Sequence, residues 1–374
     1  DRFDFKKEKG DSPMANGLFG HISYDAVTYF EDIDIQAKNP ESEIPSIRYY
    51  VYRYVVAVNH FNNQMSLYAH SYDGSEPSFD TITYLLDMPH YATASFARQG
   101  EEVSNLTEDQ TREIVNTCIK HCLRGDVFQI VPSRRFAQKF QGDDFQVYRA
   151  LRSVNPSPYL FYFDYEEYRI FGASPEKQIK IEGSVAEIHP IAGTFRRSGD
   201  DARDAELAQA LIADPKESAE HVMLVDLARN DLSRSADNVK VETFKEVQFF
   251  SHVIHLVSKV TGHLQKGVNP LQMVADTFPA GTLSGAPKHN AMTIINRLEP
   301  TNRAIYGGAI GFMDFEGNFN HAIAIRTFLS KGDTLFFQAG MGVVAKSVVE
   351  SEMQEIHNKL AALRRALEVA ENLA

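Results

Sequence analysis

The sequence predicts an α+β (mixed α/β) fold of two packed, mainly antiparallel β-sheets with helices on the outside. Three observations point there. β-Branched and aromatic runs come in pairs joined by tight turns. Helical segments come in blocks instead of alternating with single strands, as a doubly wound parallel sheet would require. Many strands are apolar enough to bury a face against a second sheet.

The elements follow in chain order. Leu18 to Tyr24 is strand-like, after a polar lead-in that opens at Asp1 without Met. Residues 47–70 read as one hairpin, IRYYVYRYVVAVNHF against QMSLYAHS, turning at Asn62-Asn63. Residues 72–103 are polar, hold Pro77 and Pro89, and read as a connection with some helix. Thr107 with Gln110 three residues later is a capping box, so a helix starts there and runs to Arg124, ending at Gly125. VFQIVPSRRF is a buried strand; 159–163 and 168–171 are two more around the turn 164–167; 178–181 and 186–191 pair around Gly183-Ser184. Residues 203–234 are helical with an interruption near Pro215. Three strands, near 305–314, 319–329 and 334–339, and a long helix from about Val348 close the chain. No internal repeat or low-complexity tract interrupts this order.

The 374 residues suffice for one large or two ordinary domains, and 43% hydrophobic with 24% charged residues suits a globular chain. A formal net charge of -12 argues against nucleic acid as a partner, because phosphate binding needs a basic face. No apolar run approaches the roughly 20 residues that span a bilayer, so no membrane partner is expected. Two cysteines, Cys118 and Cys122, read as reduced core residues of a cytoplasmic protein.

Two helical segments each carry carboxylates three residues apart: Glu217 and Glu220 in KESAEHVMLVDL, Glu352 and Glu355 in ESEMQEIHNKL. That spacing puts both on one helix face, where like charges repel. Four such groups converging would hold a hard divalent cation; the other reading is two solvated faces. Glycines mark strand ends in HPIAGTF, FPAGTLSGAPK, IYGGAIGF and FQAGMGVV, either as bulges and turns or where a ligand approaches backbone. None fits a nucleotide-binding loop. Glu176 follows FGASP, and His255 lies in the strand SHVIHLVSKV, as a structural residue or an acid–base group. Arg326, inside the apolar stretch HAIAIRTFL, needs an anion: an internal acid or a substrate carboxylate.

Together, GDVFQIVPSRRF, NPSPYLFYF, FGASPE, PIAGT, EHVMLVDLARNDL, FPAGTLSGAPK, YGGAIGF, QAGMGVV and ESEMQEIHNK resemble the chorismate-utilising enzymes, in order and spacing, over about residues 105–365. The resemblance implies that family's fold, with residues 1–103 as the remainder of an N-terminal region whose upstream part is missing and 104–374 as the catalytic domain. Water-using members carry a lysine base where this chain has Gln129, so ammonia is the implied nucleophile. Ala192 in PIAGT favours the lyase reaction that makes anthranilate and pyruvate for tryptophan biosynthesis; aminodeoxychorismate formation is the alternative.

The resemblance also implies roles. Glu220 and Glu355 are the expected Mg²⁺ ligands, with Glu217 and Glu352 nearby. Gly193, Thr194, Tyr306, Arg326, Gly340, Met341, Gly342 and Lys359 are the expected chorismate contacts, the Gly340–Gly342 stretch through its backbone. Glu176 is the expected general acid and His255 the residue assisting pyruvate loss. Pro158, Tyr159 and Leu160 match the family's tryptophan-sensing segment, which makes tryptophan an expected feedback inhibitor. A glutamine amidotransferase small subunit is the expected ammonia source. Phe195, Lys346 and Val349 depart from the family pattern beside the substrate and metal segments.

Overall fold

The computed structural model describes residues 12, 14–38, 42–72, 74–88, 94–249 and 253–373. Among these residues the strands form sheets of nine, six, three and two strands, all paired antiparallel. An apolar cluster joins the two large sheets: Ile310 and Ala322 from the nine-stranded sheet pack with Ile170, Leu329 and Phe336 from the six-stranded one. The other face of the six-stranded sheet is covered by the helices Glu108–Arg124, Phe145–Val154 and Val349–Ala370. The other face of the nine-stranded sheet is covered by Pro215–Ser233 and Pro270–Thr277. The order is helix, sheet, sheet, helix, in which each apolar face meets another.

Local signals set several boundaries as the sequence predicts. Thr107 accepts from the Gln110 amide and Gln110 closes the box. Pro215 splits the long helical stretch into Asp201–Ala213 and Pro215–Ser233. Asp214 caps the second helix by accepting from the amides of Lys216 and Glu217.

Four expectations change. The hairpin is only Tyr54–Asn59 with Gln64–Ala69, while Ile47–Tyr50 pairs with Leu18–Ile22 in the nine-stranded sheet. The connection 72–103 contains the helix Asp80–Asp87 but ends in a strand, Phe96–Ser104, which pairs with Ser133–Gly142 at the edge of the six-stranded sheet. VFQIVPSRRF is not one strand: Gln129–Ile130 joins the small three-stranded sheet and Ser133–Gly142 the six-stranded one, with Pro132 between them. The stretch 319–329 is likewise two strands. Phe319–Ile323 belongs to the nine-stranded sheet and Thr327–Lys331 to the six-stranded one, so the chain changes sheets at 324–326. Arg326 sits at that crossing with φ 49°, a left-handed conformation uncommon for a side chain of its size.

Candidate active site

The crossing at 324–326, the ends of neighbouring strands and the two acidic helices meet in one region. Arg326 is half-buried there, and its Nη1 donates a long hydrogen bond (3.4 Å) to Asn155 Oδ1. No acid lies within ion-pairing distance of it among the described residues, so the internal partner that the sequence left open is absent. Burial holds its pKa below the usual guanidinium value, and the charge of Glu176 works the other way, which places the two in mutual electrostatic reach.

Glu176 follows the strand Arg169–Ser174, and its carboxyl accepts from Thr282 Oγ1 at 3.0 Å. Protein surrounds the carboxyl group, while the residue as a whole is half-buried. Desolvation pushes its pKa up to about 7, against the hydrogen bond from Thr282 and the charges of Lys359 and Arg326. A carboxyl group in that state is half protonated near neutral pH, as a general acid must be. Thr282 belongs to FPAGTLSGAPK, a segment whose sequence signal lies in its glycines and not in its hydroxyl.

His255 is buried on the strand Val253–Leu264, and Nδ1 contacts Gly193 O at 2.9 Å. Desolvation lowers its pKa, opposed by the Gly193 contact and aided by the Arg326 charge, so the ring is held neutral. Gly193 itself sits in a register shift between Ala192 and Thr194 with φ 72°. A Cβ there would lie 2.8 Å from Leu211 Cδ1 and 3.3 Å from Glu217 Oε2, so glycine lets the irregular part of the strand Ile191–Arg196 approach the acidic helix closely. Thr194 pairs with His255 in the ladder; its side chain lies outside what the structure describes.

Tyr306 is buried, and its hydroxyl occupies the space that a side chain on Gly340 would need, 2.8 Å from that Cβ position. Burial raises the phenol pKa well above its usual value, so it is a donor at all ordinary pH. Met341 is fully buried in the core and offers only backbone to a ligand. Gly342 leaves room beside Gln129 Nε2 and Glu220 Oε1. Lys359 Nζ donates to Gly340 O (2.9 Å) and pairs with Glu355 Oε1 (2.6 Å).

The four glutamates do approach one another. Glu217 has a raised pKa from burial, then from Glu220, with Asp214 and Glu355 adding and Lys216 opposing. Glu220 Oε1 accepts from Gln129 Nε2 at 2.9 Å. Glu352 is buried, its Oε2 has no hydrogen-bond partner, and burial and the Glu355 charge push its pKa up to about 7. For Glu355, burial is outweighed by Lys359 and by a hydrogen bond from Glu352, and its pKa is lowered. Among the described residues no three acidic, His or Cys side chains already stand as a closed metal cage.

Pro158, Tyr159 and Leu160 lie at the start of the edge strand Tyr159–Asp164 of the six-stranded sheet, with Leu160 exposed. Tyr159 is opposite Ser174, two residues before Glu176.

The model of the chorismate binding enzyme family matches residues 2–365. The chain belongs to this family. It is 39% identical over 374 residues to anthranilate synthase component 1 of Aquifex aeolicus, covering 95% of this chain and 75% of that relative. It is 48% identical over 283 residues to the Bacillus caldotenax component 1, covering 75% of this chain but 55% of the relative. The crystal structure of anthranilate synthase component I from Streptococcus pneumoniae superposes with a TM-score of 0.89 at 32% identity, covering 97% of this chain and 84% of that one. The Escherichia coli isochorismate synthase MenF shares the fold, with a TM-score of 0.78 at 21% identity over 94% of this chain and 78% of that one. Among the described residues no helix is long and apolar enough to cross a membrane.

Proposed function

We infer that this chain is the chorismate-consuming component of an anthranilate synthase, a lyase that converts chorismate and ammonia to anthranilate and pyruvate. The observation that carries the reading is a half-buried arginine with no ion-paired acid among the described residues, Arg326, within electrostatic reach of a carboxyl group whose pKa burial raises to about 7, Glu176. That pair supplies a seat for a substrate carboxylate and a proton for a poor leaving group.

Chorismate is a dianion. Arg326 and the Tyr306 hydroxyl would hold its enolpyruvyl carboxylate, one by charge and one by donation. The backbone at Gly340–Gly342 and Lys359 would hold the ring side. Hydroxide leaves poorly, so protonated Glu176 gives its proton to the departing C4 hydroxyl while ammonia adds at C2. The Thr282 hydrogen bond keeps the Glu176 carboxyl pointed in one direction. In the second half the C2 proton and pyruvate are lost and the ring becomes aromatic, with neutral His255, oriented by Gly193, assisting.

The residues fit Mg²⁺. The unpartnered Glu352 oxygen and the mutual repulsion of Glu217, Glu220 and Glu355 mark a place where a cation would relieve two helices at once. Glu220 and Glu355 would be the ligands, with Glu217 and Glu352 beside them; an open set suits an ion that keeps sites for water and substrate oxygens. Bound Mg²⁺ would neutralise the ring carboxylate. Ammonia would come from a glutamine amidotransferase small subunit, and tryptophan would bind at Pro158, Tyr159 and Leu160.

The test is incubation with chorismate, Mg²⁺ and excess ammonium at mildly alkaline pH, with products identified by fluorescence and mass. Anthranilate with pyruvate is expected. Aminodeoxychorismate or isochorismate as the product would overturn the reading. Glu176→Gln should lower kcat by about 10²–10⁴-fold while chorismate still binds; unchanged turnover would remove Glu176 as the acid.

A further inference from the structure

We propose that Asn155 is a positioning residue that aims Arg326 at the substrate carboxylate. The inference rests on the chorismate reading above and adds a residue to it. Asn155 ends the helix Phe145–Val154, where its amide caps Leu151 O at 2.8 Å. Its side chain reaches two other elements. Asn155 Oδ1 accepts from Arg326 Nη1 at 3.4 Å, and Asn155 Nδ2 donates to Ala173 O at 3.5 Å and to Ser157 Oγ at 3.4 Å. The Ala173 amide donates to Arg326 O at 3.1 Å. Asn155, Arg326 and Ala173 therefore form a closed ring of three hydrogen bonds around the point where the chain changes sheets.

The ring answers a specific problem. A guanidinium at a sheet crossing, with φ 49° and no ion-pair partner among the described residues, feels the charge of Glu176 but has no salt bridge to fix its direction. An acid would fix it but would also cancel the charge that the substrate needs. A neutral amide oxygen fixes the direction and leaves the charge free. The amide nitrogen of the same side chain donates to Ala173 O and Ser157 Oγ, which leaves the oxygen end facing Arg326. Gly172 shows how tightly this crossing is packed: a Cβ there would lie 3.0 Å from Arg326 O and 2.6 Å from Thr327 Oγ1.

A residue that only ends its helix and one that aims a guanidinium respond differently to substitution. With chorismate and ammonium, and no tryptophan present, Asn155→Asp places a carboxylate against Arg326. We expect it to raise the chorismate KM by about tenfold or more, with kcat changed much less, because uniform substrate binding is what is lost. Asn155→Ala should raise KM less, by about three- to tenfold. The KM for ammonium should stay at the parent value in both. In an Arg326→Ala background, Asn155→Asp and Asn155→Ala should cause no further rise in KM. A helix-end role alone predicts the reverse order, with Asp close to Asn and Ala worst, and the same loss with or without Arg326; that outcome overturns the proposal. Thermal melting of each variant separates misfolding from mispositioning, and Asn155→Asp, nearly isosteric, keeps the test open should Asn155→Ala fold poorly. An inactive parent chain would overturn the chorismate reading and this inference with it; an active parent with Asn155→Asp at the parent KM overturns this inference alone.

Discussion

The two acidic helices share a motif and differ in almost everything that surrounds it. On Pro215–Ser233, Glu220 accepts from the neutral amide of Gln129, and Glu217 is half-buried against the strand at Gly193. On Val349–Ala370, a cation settles one carboxylate and strands the other: Lys359 pairs with Glu355 one turn on, while Glu352 is buried with an orphaned oxygen. Their pKa values move apart accordingly, Glu352 up to about 7 and Glu355 down. Two carboxylates at one spacing acquire different proton affinities because desolvation and partners act on each separately.

The largest effect that this contrast predicts is in activity. Glu220→Gln and Glu355→Gln should each lower kcat/KM by on the order of 10³-fold in Mg²⁺ titrations, since the proposed reading makes each a direct ligand to a charge-neutralising ion. Glu352→Gln should cost about tenfold or less, as an outer-shell change would. Equal losses for Glu352→Gln and Glu355→Gln would erase the distinction between the two positions.

A smaller effect concerns pH. Burial pushes the Glu176 and Glu352 carboxyls both up to about 7, but in the proposed mechanism only Glu176 must be protonated to act. With the acid form required, kcat/KM should fall about tenfold per pH unit above roughly 7. Glu352→Gln should keep this limb and Glu176→Gln should flatten what activity remains. A limb that vanishes in Glu352→Gln would give the proton to the wrong carboxylate.

The smallest effect is on stability. Folding raises the Glu352 pKa from 4.5 to about 7, so the folded state binds the proton more tightly. The stability this contributes is complete below 4.5 and is lost as pH rises through about 7. Without divalent cation, Glu352→Gln should therefore be more stable than the parent at pH 8, by about 1 kcal/mol after solvent screening. The difference should close near pH 5 in parallel denaturant melts. A parent that stays the more stable at pH 8 would mean that the Glu352 carboxylate is well solvated or already paired.

Sequence alone determined what local chemistry can determine. The Thr107–Gln110 box, the break at Pro215, the turn at Gly183-Ser184 and the face shared by each pair of glutamates all follow from interactions within about four residues, which any neighbourhood preserves. Tertiary structure decided the rest. It moved Ile47–Tyr50 out of the expected hairpin into the nine-stranded sheet and made a strand of Phe96–Ser104, because strand pairing is chosen by distant partners. It split 319–329 between two sheets, which put Arg326 at a crossing instead of inside a strand. It also decided that no acid among the described residues pairs with Arg326, that Thr282 bonds Glu176, and that Asn155 faces Arg326, contacts spanning 106 and 171 residues of chain in the last two cases. Residue type and spacing can nominate a carboxylate for acid chemistry; its proton affinity is a sum over groups that only folding brings within reach.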